Sequence, residues 1–194
     1  GAVYSLEVGI TGTDGVLITH GTDTLEETGY FLTLVTSSTK PVVMVGSMRP
    51  ATAISADGPG NIYSGVAVVT NPGAKGKGTL VVLNDEIHYA RNVVKTNTTT
   101  VQTFVSINRG PAGVVNTGKI QWFEPMDRKV GPATGFSIDA LDKLPRVDVI
   151  YAHANMSADL IDAAIRNGAK GLVIAGVGDG NMTTPALDAL TKAA

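Results

Sequence analysis

Short β-branched, apolar runs alternate along this chain with longer stretches of helical periodicity, and that alternation limits the fold more than any single motif does. Residues 16–19 read as a buried strand, and the segment after them places Leu25, Phe31, Leu32 and Val35 near one helical face. Residues 41–45 form the next strand and 46–56 a long loop. A second helix then runs from Asp57 or Gly58 to about Val69, with Pro59 tolerable in its first turn. Residues 71–78 are a surface turn and 79–83 a third strand. Strands joined through helices build βαβ units, so the expected class is α/β, with a mostly parallel sheet flanked by helices. Composition agrees: 23 glycines suit tight βα turns, and aromatics at 5% leave the core to Val, Ile, Leu and Ala.

The middle of the chain is less regular, with extended pieces near residues 87–89, 103–107, 113–115 and 120–123. From Glu124 to Pro145 the periodicity weakens, interrupted by Pro125, Gly131, Pro132, Gly135 and Pro145. A second α/β unit follows. It has strands at 147–151 and 171–175, a helix over 157–167 that ends near Gly168, and a helix opening at Thr183 or Thr184. The expected organisation is therefore a larger α/β domain over 1–123, a linker over 124–145 and a partial, smaller α/β domain over 146–194. Two strands and two helices are few for an independent core.

Charge and residue usage exclude several functions. Fifteen Lys+Arg against 17 Asp+Glu leave a net charge of -2, so nothing draws the chain to nucleic acid or an anionic membrane. No apolar run is long enough to predict a transmembrane helix, and the first residues lack the pattern of a signal peptide, which leaves a mature secreted chain and a cytosolic one both open. There is no cysteine to serve as thiol nucleophile or thiolate ligand. His20, His88 and His153 stand at no metal-binding spacing, so neither metal nor cofactor is expected.

The run Thr19-His20-Gly21-Thr22-Asp23-Thr24 puts hydroxyls and one carboxylate at a strand-to-helix turn, where open α/β sheets build ligand sites. Its plain reading is a helix cap, with Gly21 making the turn and Thr24 with Glu27 fitting a capping box. Lys95 follows an apolar pair and precedes the hydroxyl-rich run Thr96-Asn97-Thr98-Thr99-Thr100. A lysine in a partly dry site can act as a base toward a neighbouring hydroxyl, although most lysines in such a stretch are solvated. Brought together, Thr22, Lys95 and Asp23 would form a relay of hydroxyl, amine and orienting carboxylate. Asp57 reads as an N-cap, and the run from Gly176 to Asn181 as a βα turn presenting Asn181 at the edge of the sheet.

The stretch Ile18-Thr19-His20-Gly21-Thr22-Asp23-Thr24-Leu25-Glu26-Glu27-Thr28, then Lys40-Pro41-Val42-Val43-Met44-Val45-Gly46-Ser47-Met48-Arg49-Pro50, then Ser55-Ala56-Asp57-Gly58-Pro59, resembles the bacterial-type L-asparaginases and the related glutaminase-asparaginases. Val82-Leu83-Asn84-Asp85, Lys95-Thr96-Asn97 and Ala175-Gly176-Val177-Gly178 match in the same order, so the resemblance runs from about Asp14 to Ala194. It implies a hydrolase that releases ammonia from the side-chain amide of L-asparagine through an acyl-enzyme on a threonine, with L-glutamine open as a further substrate. By motif match, Thr22 takes part in nucleophile activation or water attack, and Lys95 is its basic partner. Asp23 completes that triad and binds the substrate's α-amino group. Ser47 stands beside the substrate amide. Asn181 reaches into a neighbouring subunit's site within an intimate homodimer, assembled further into a homotetramer, and Asp179 has no role in the pattern. The motif set is closer to the secreted branch than to the cytosolic one, so a periplasmic or secreted location is expected.

The chain departs from that pattern at both ends. The family carries an earlier strand ending in Thr-Gly-Gly-Thr-Ile, which supplies the other catalytic threonine, then a lid with a tyrosine and a Ser-Gln or Ser-Glu pair that grips the substrate carboxylate. Thr11-Gly12-Thr13 lacks the paired glycines and cannot take the first role, and Tyr4 and Ser5 are poorly placed for the others. The expectation is a fragment, or a portion of a longer enzyme joined across dropped segments, which would show as a widened Cα spacing between residues 1 and 14. Two other classes stay open: a catalytically silent amino-acid-binding or assembly module, and a nucleotide-binding α/β protein resting only on the glycines from Gly176 to Gly180.

Overall fold

A computed structural model describes residues 12–123 and 129–194. Tyr4, Ser5 and Thr11, the first linker residues Glu124 and Pro125, and most of the stretch over which joined segments would show lie outside the described residues. The chain divides into two compact units, Gly1–Ile138 and Asp139–Ala194, with the division inside the 124–145 stretch.

In the first unit, β1 (Val16–Thr19), α1 (Leu25–Val35), β2 (Val42–Val45), α2 (Gly58–Val69) and β3 (Thr79–Leu83) alternate as expected of an α/β fold. β1 pairs with β2, and β2 with β3, in parallel. β2 and β3 are buried along their whole length, as parallel strands covered on both faces are. The chain then continues through β4 (Glu86–Tyr89), β5 (Val94–Lys95), β6 (Phe104–Val105), β7 (Gly113–Asn116) and β8 (Lys119–Trp122). β4, β7 and β8 extend the sheet with antiparallel pairings, in the order β1-β2-β3-β4-β7-β8. The change of direction has a local cause: Asn84 (φ 50°) and Asp85 (φ 63°) are both left-handed, the backbone of a tight hairpin turn. β5 and β6 form a separate two-stranded pair.

The two helices cover opposite faces. Leu25 and Leu32 of α1 pack with Ile18, Met44, Val81 and Leu83, whereas Val68 of α2 packs with Val43, Val45, Leu80 and Val82. Two consecutive crossovers that step the same way across a sheet put their helices on one face when they share a hand. Helices on opposite faces therefore require crossovers of opposite hand, and one of the two has the rare left-handed sense. Glycines let each helix lie close: a Cβ at Gly65 of α2 would come within 2.7 Å of Val45, and one at Gly29 of α1 within 2.9 Å of Ala90.

The second unit holds β9 (Val147–Tyr151), α3 (Asp159–Arg166), β10 (Gly171–Ala175) and α4 (Thr184–Ala193), with β9 and β10 parallel. Its core is built on Ile150, Met156, Ile161, Ala164 and Ala186. α3 starts two residues later than the periodicity suggests, because Ser157 stays outside it and accepts a hydrogen bond from the Asp159 N–H.

His88, on the α1 side of β4, is fully buried. Its Nδ1 pairs with Ser106 Oγ at 3.0 Å, and its Nε2 lies 3.3 Å from Glu86 Oε2. Burial lowers the His88 pKa from 6.5 to about 4 and raises that of Glu86. In the unfolded chain histidine takes its proton near 6.5, whereas the buried ring stays neutral until about pH 4. His88 therefore costs roughly 3 kcal/mol of stability as pH falls through that window, while the raised Glu86 carboxyl works in the opposite sense. Urea unfolding at steps from pH 7 to pH 4 is expected to show this decline, and His88→Gln to flatten it.

Candidate active site

The parallel β1–β2 pairing brings two loops side by side at the carboxyl ends of the strands, where open α/β sheets hold ligands. The His20 N–H donates to the Val45 carbonyl at 2.9 Å, closing the ladder as both strands end. The His20 ring then braces the first loop: Nδ1 lies 2.6 Å from the Gly21 carbonyl and Nε2 3.0 Å from Thr28 Oγ1. The second loop passes tightly against the first. A Cβ on Gly46 would lie 3.0 Å from both the His20 carbonyl oxygen and the Thr22 methyl group.

The capping box expected at Thr24 and Glu27 does not form. Thr24 has φ −125° and ψ 16°, outside the extended conformation that aims an N-cap side chain back at the helix, and its hydroxyl makes no cap bond. The acidic group in this first turn that reaches a backbone amide is Glu26, whose Oε2 accepts the N–H of Lys95, 69 residues away in sequence.

Lys95 lies with its side chain only 16% exposed, unlike a solvated surface lysine. Its Nζ donates to Thr22 Oγ1 at 2.9 Å and to Asp23 Oδ1 at 2.6 Å. Thr22, Asp23 and Lys95 therefore meet. Asp23 is 93% exposed, and the hydrogen bond and positive charge of Lys95 hold its carboxyl below the usual carboxylate range. Beside them lies an open depression lined by Asp23, Glu26, Lys95, Thr96, Asn97 and Thr98. A hydroxyl, an amine and a carboxylate in this order can move a proton to and from the hydroxyl oxygen while the carboxylate keeps the amine in place.

Asp57 precedes α2 but its side chain makes no capping hydrogen bond there. The carboxylate turns back on the β2–α2 loop instead. Oδ1 accepts from Ser47 Oγ and the Arg49 N–H, each at 2.9 Å, and Oδ2 from the Met48 N–H at 2.9 Å and Asn61 Nδ2 at 3.1 Å. Burial pushes Asp57 up, but the Met48 and Arg49 amides and the Ser47 hydroxyl outweigh it, so its pKa is lowered overall. A signal for this was present: Pro59, at the second helical position, removes a donor that a capping carboxylate would use. Ser47 itself is exposed and also donates toward the Arg49 carbonyl, at 2.6 Å.

Asn61 carried no comparable signal. It is buried on α2, donates to the Gly46 carbonyl at 2.9 Å and accepts from the Asn84 N–H at 3.0 Å, tying the ends of β2 and β3 to one helix.

Asn181 belongs to the second unit, where it is exposed. Its backbone closes the turn after β10 by reciprocal bonds with Val177, at 2.8 and 2.9 Å. The nearby glycines serve that closure. A Cβ on Gly176 would meet the Gly180 backbone at 2.6 Å, and Gly178 (φ 57°) and Gly180 (φ 86°) are left-handed. Among the described residues no cluster of three or more His, Asp or Glu side chains could hold a metal ion, and no helix is long and apolar enough to cross a membrane.

Comparison with known proteins finds relatives for both units. Residues 6–128 match the family described as asparaginase, N-terminal, and residues 146–194 match the glutaminase/asparaginase C-terminal domain. The chain is 56% identical over 173 residues to L-asparaginase 2 of Bacillus subtilis, covering 89% of this chain and 46% of that protein. It is 48% identical over 182 residues to a probable periplasmic L-asparaginase of Haemophilus influenzae, covering 94% of this chain and 52% of that protein. The chain thus spans about half the length of the curated relatives it matches. A crystal structure of a probable cytoplasmic L-asparaginase from Campylobacter jejuni superposes with a TM-score of 0.91 at 45% identity, covering 94% of this chain and 60% of that one.

Because Lys95 is what holds the Asp23 carboxyl down, Lys95→Met is expected to return its titration toward the ordinary value of 3.8. Carboxyl-resolved NMR titration of the two proteins reads this directly.

Proposed function

The chain belongs to the asparaginase family, whose members act on small amino-acid substrates, and on that premise we propose that the full-length protein hydrolyses L-asparagine to L-aspartate and ammonia. L-Glutamine is the further substrate to test, since the matched C-terminal domain is shared with glutaminases. The observation that carries this reading is the meeting of Lys95 Nζ with Thr22 Oγ1 at 2.9 Å and with Asp23 Oδ1 at 2.6 Å.

The reaction has two balanced steps. A threonine oxygen bonds to the amide carbon, the C–N bond breaks, and the nitrogen leaves as ammonia with the proton. Water then bonds to the ester carbon, the threonine oxygen leaves and recovers a proton, and the acid is released. Lys95 serves Thr22 in these attacks: as an amine that has shed a proton it takes one from the attacking hydroxyl, and as an ammonium it returns it. Asp23 keeps Nζ aimed at Thr22, and its exposed carboxylate has room for the substrate's α-ammonium group.

In the same reading, Ser47 stands beside the substrate amide on the loop that Asp57 braces. The domain organisation remains 1–123, a linker over 124–145, and 146–194, with Asn181 serving a neighbouring subunit's site in a homodimer or homotetramer. The periplasm or the outside of the cell is the proposed location; the relatives' names include a periplasmic and a cytoplasmic protein.

A second reading is a catalytically silent amino-acid-binding or assembly module. The exposure of Asp23 favours it, because an open carboxylate binds an ammonium group without any relay. Two assays on one preparation separate the readings. Ammonia release from L-asparagine that falls about 100-fold or more in Lys95→Met supports the hydrolase, and release unchanged by that substitution contradicts the relay. Calorimetric binding of L-aspartate with no turnover favours the silent module.

A further inference from the structure

We infer that Glu26 is a positioning residue, which sets where Lys95 stands by holding its backbone while Thr22 and Asp23 hold its side chain; the kinetic part of this inference rests on the amide hydrolysis proposed above. β5 and β6 are two residues each and, among the described residues, pair only with one another, Val94 with Val105 and Lys95 with Phe104. No rung of the six-stranded sheet therefore fixes Lys95. Val93 and Phe104 pack into the core on the α1 side, and Ser106 bonds His88, but these contacts anchor the neighbours of Lys95 rather than Lys95 itself.

The direction of the amides shows what does fix it. Successive N–H groups of an extended strand point to opposite sides. The Thr96 N–H donates to the Thr103 carbonyl across the pair at 2.8 Å, so the Lys95 N–H faces away from β6. There Glu26 Oε2 accepts it. Glu26 stands on the first turn of α1, three residues after Asp23 and four after Thr22. One strand-to-helix corner thus grips Lys95 at its amide and at its Nζ. A shift of the backbone along α1 would carry the amine out of hydrogen-bond reach of Thr22, and misplacements of about 1 Å at a reacting group can cost on the order of 100-fold in rate.

A purely structural role competes with this one, because a carboxylate in the first turn also suits the helix dipole. Two substitutions separate the roles. Glu26→Gln keeps a carbonyl oxygen within reach of the Lys95 N–H and loses the charge; Glu26→Asp keeps the charge and draws the oxygen back by about 1.5 Å. In the full-length protein, Glu26→Gln is expected to retain kcat on L-asparagine within about threefold, while Glu26→Asp lowers kcat by about tenfold or more with KM nearly unchanged. Hydrogen–deuterium exchange at the Lys95 amide should accelerate at least tenfold in Glu26→Asp and much less in Glu26→Gln. The reverse order, with Glu26→Gln the weaker enzyme and the faster exchanger, or no change in either variant, overturns the inference. Should the wild-type protein release no ammonia, the hydrolase reading fails and the exchange rates alone decide this one.

Discussion

The last rung of the β1–β2 ladder, from the His20 N–H to the Val45 carbonyl, is the contact on which the candidate site depends. Parallel strands end on the same side of a sheet, so pairing them to the last residue sets the loops that follow against one another. One loop carries Thr22 and Asp23, and the other carries Ser47. The fit is close enough that a Cβ on Gly46 would press on the Thr22 methyl group and the His20 carbonyl at 3.0 Å. The opposite-handed crossovers cover both faces of β2 and β3 with helix, which leaves the carboxyl ends of the strands as the place for polar groups.

Two acidic residues then hold the Ser47 loop and Lys95 by accepting backbone amides. Asp57 gathers Met48 and Arg49 on the Ser47 loop, and Glu26 takes Lys95 from a hairpin whose strands are not laddered to the main sheet among the described residues. A carboxylate that accepts backbone N–H groups makes a charge-assisted bond, stronger than a neutral one and costly to leave unmade. Both residues stand at helix starts, where the pattern suggests capping. Asp57 instead turns back on the loop before its helix, and Glu26 reaches Lys95, 69 residues away in sequence.

The parts of the fold legible in the sequence are those with a periodic or continuous signal. β2 is an unbroken apolar run, and β3 is one after Thr79, because both faces are covered. α1 buries Leu25 and Leu32 of the face read from the sequence but leaves Phe31 exposed, and α2 buries Asn61, Ser64, Gly65 and Val68 while Ile62, Tyr63 and Val66 are exposed. Gly65 in α2, which weakens a helix on propensity alone, reflects the close approach of that helix to Val45. β5 was not legible: two residues carry no period, and its place depends on Glu26 and on the packing of Val93 and Phe104. Thr22, Asp23 and Lys95 were named from motif order, but their meeting spans more than seventy residues that no local rule relates. Asn61 left no trace, since a buried asparagine on a helix reads as an ordinary polar position until its partners at Gly46 and Asn84 are known.

The central claim is that Thr22 and Lys95 work as one unit, and a double-mutant cycle on ammonia release from L-asparagine tests it most directly. Thr22→Val, Lys95→Met and the double variant would be compared with wild type in the full-length protein. Residues of one relay give strongly non-additive losses, so the double variant is expected to be no slower than the slower single variant, to within about threefold. Losses that multiply, with the double variant slower by the product of the two single effects, would contradict the account.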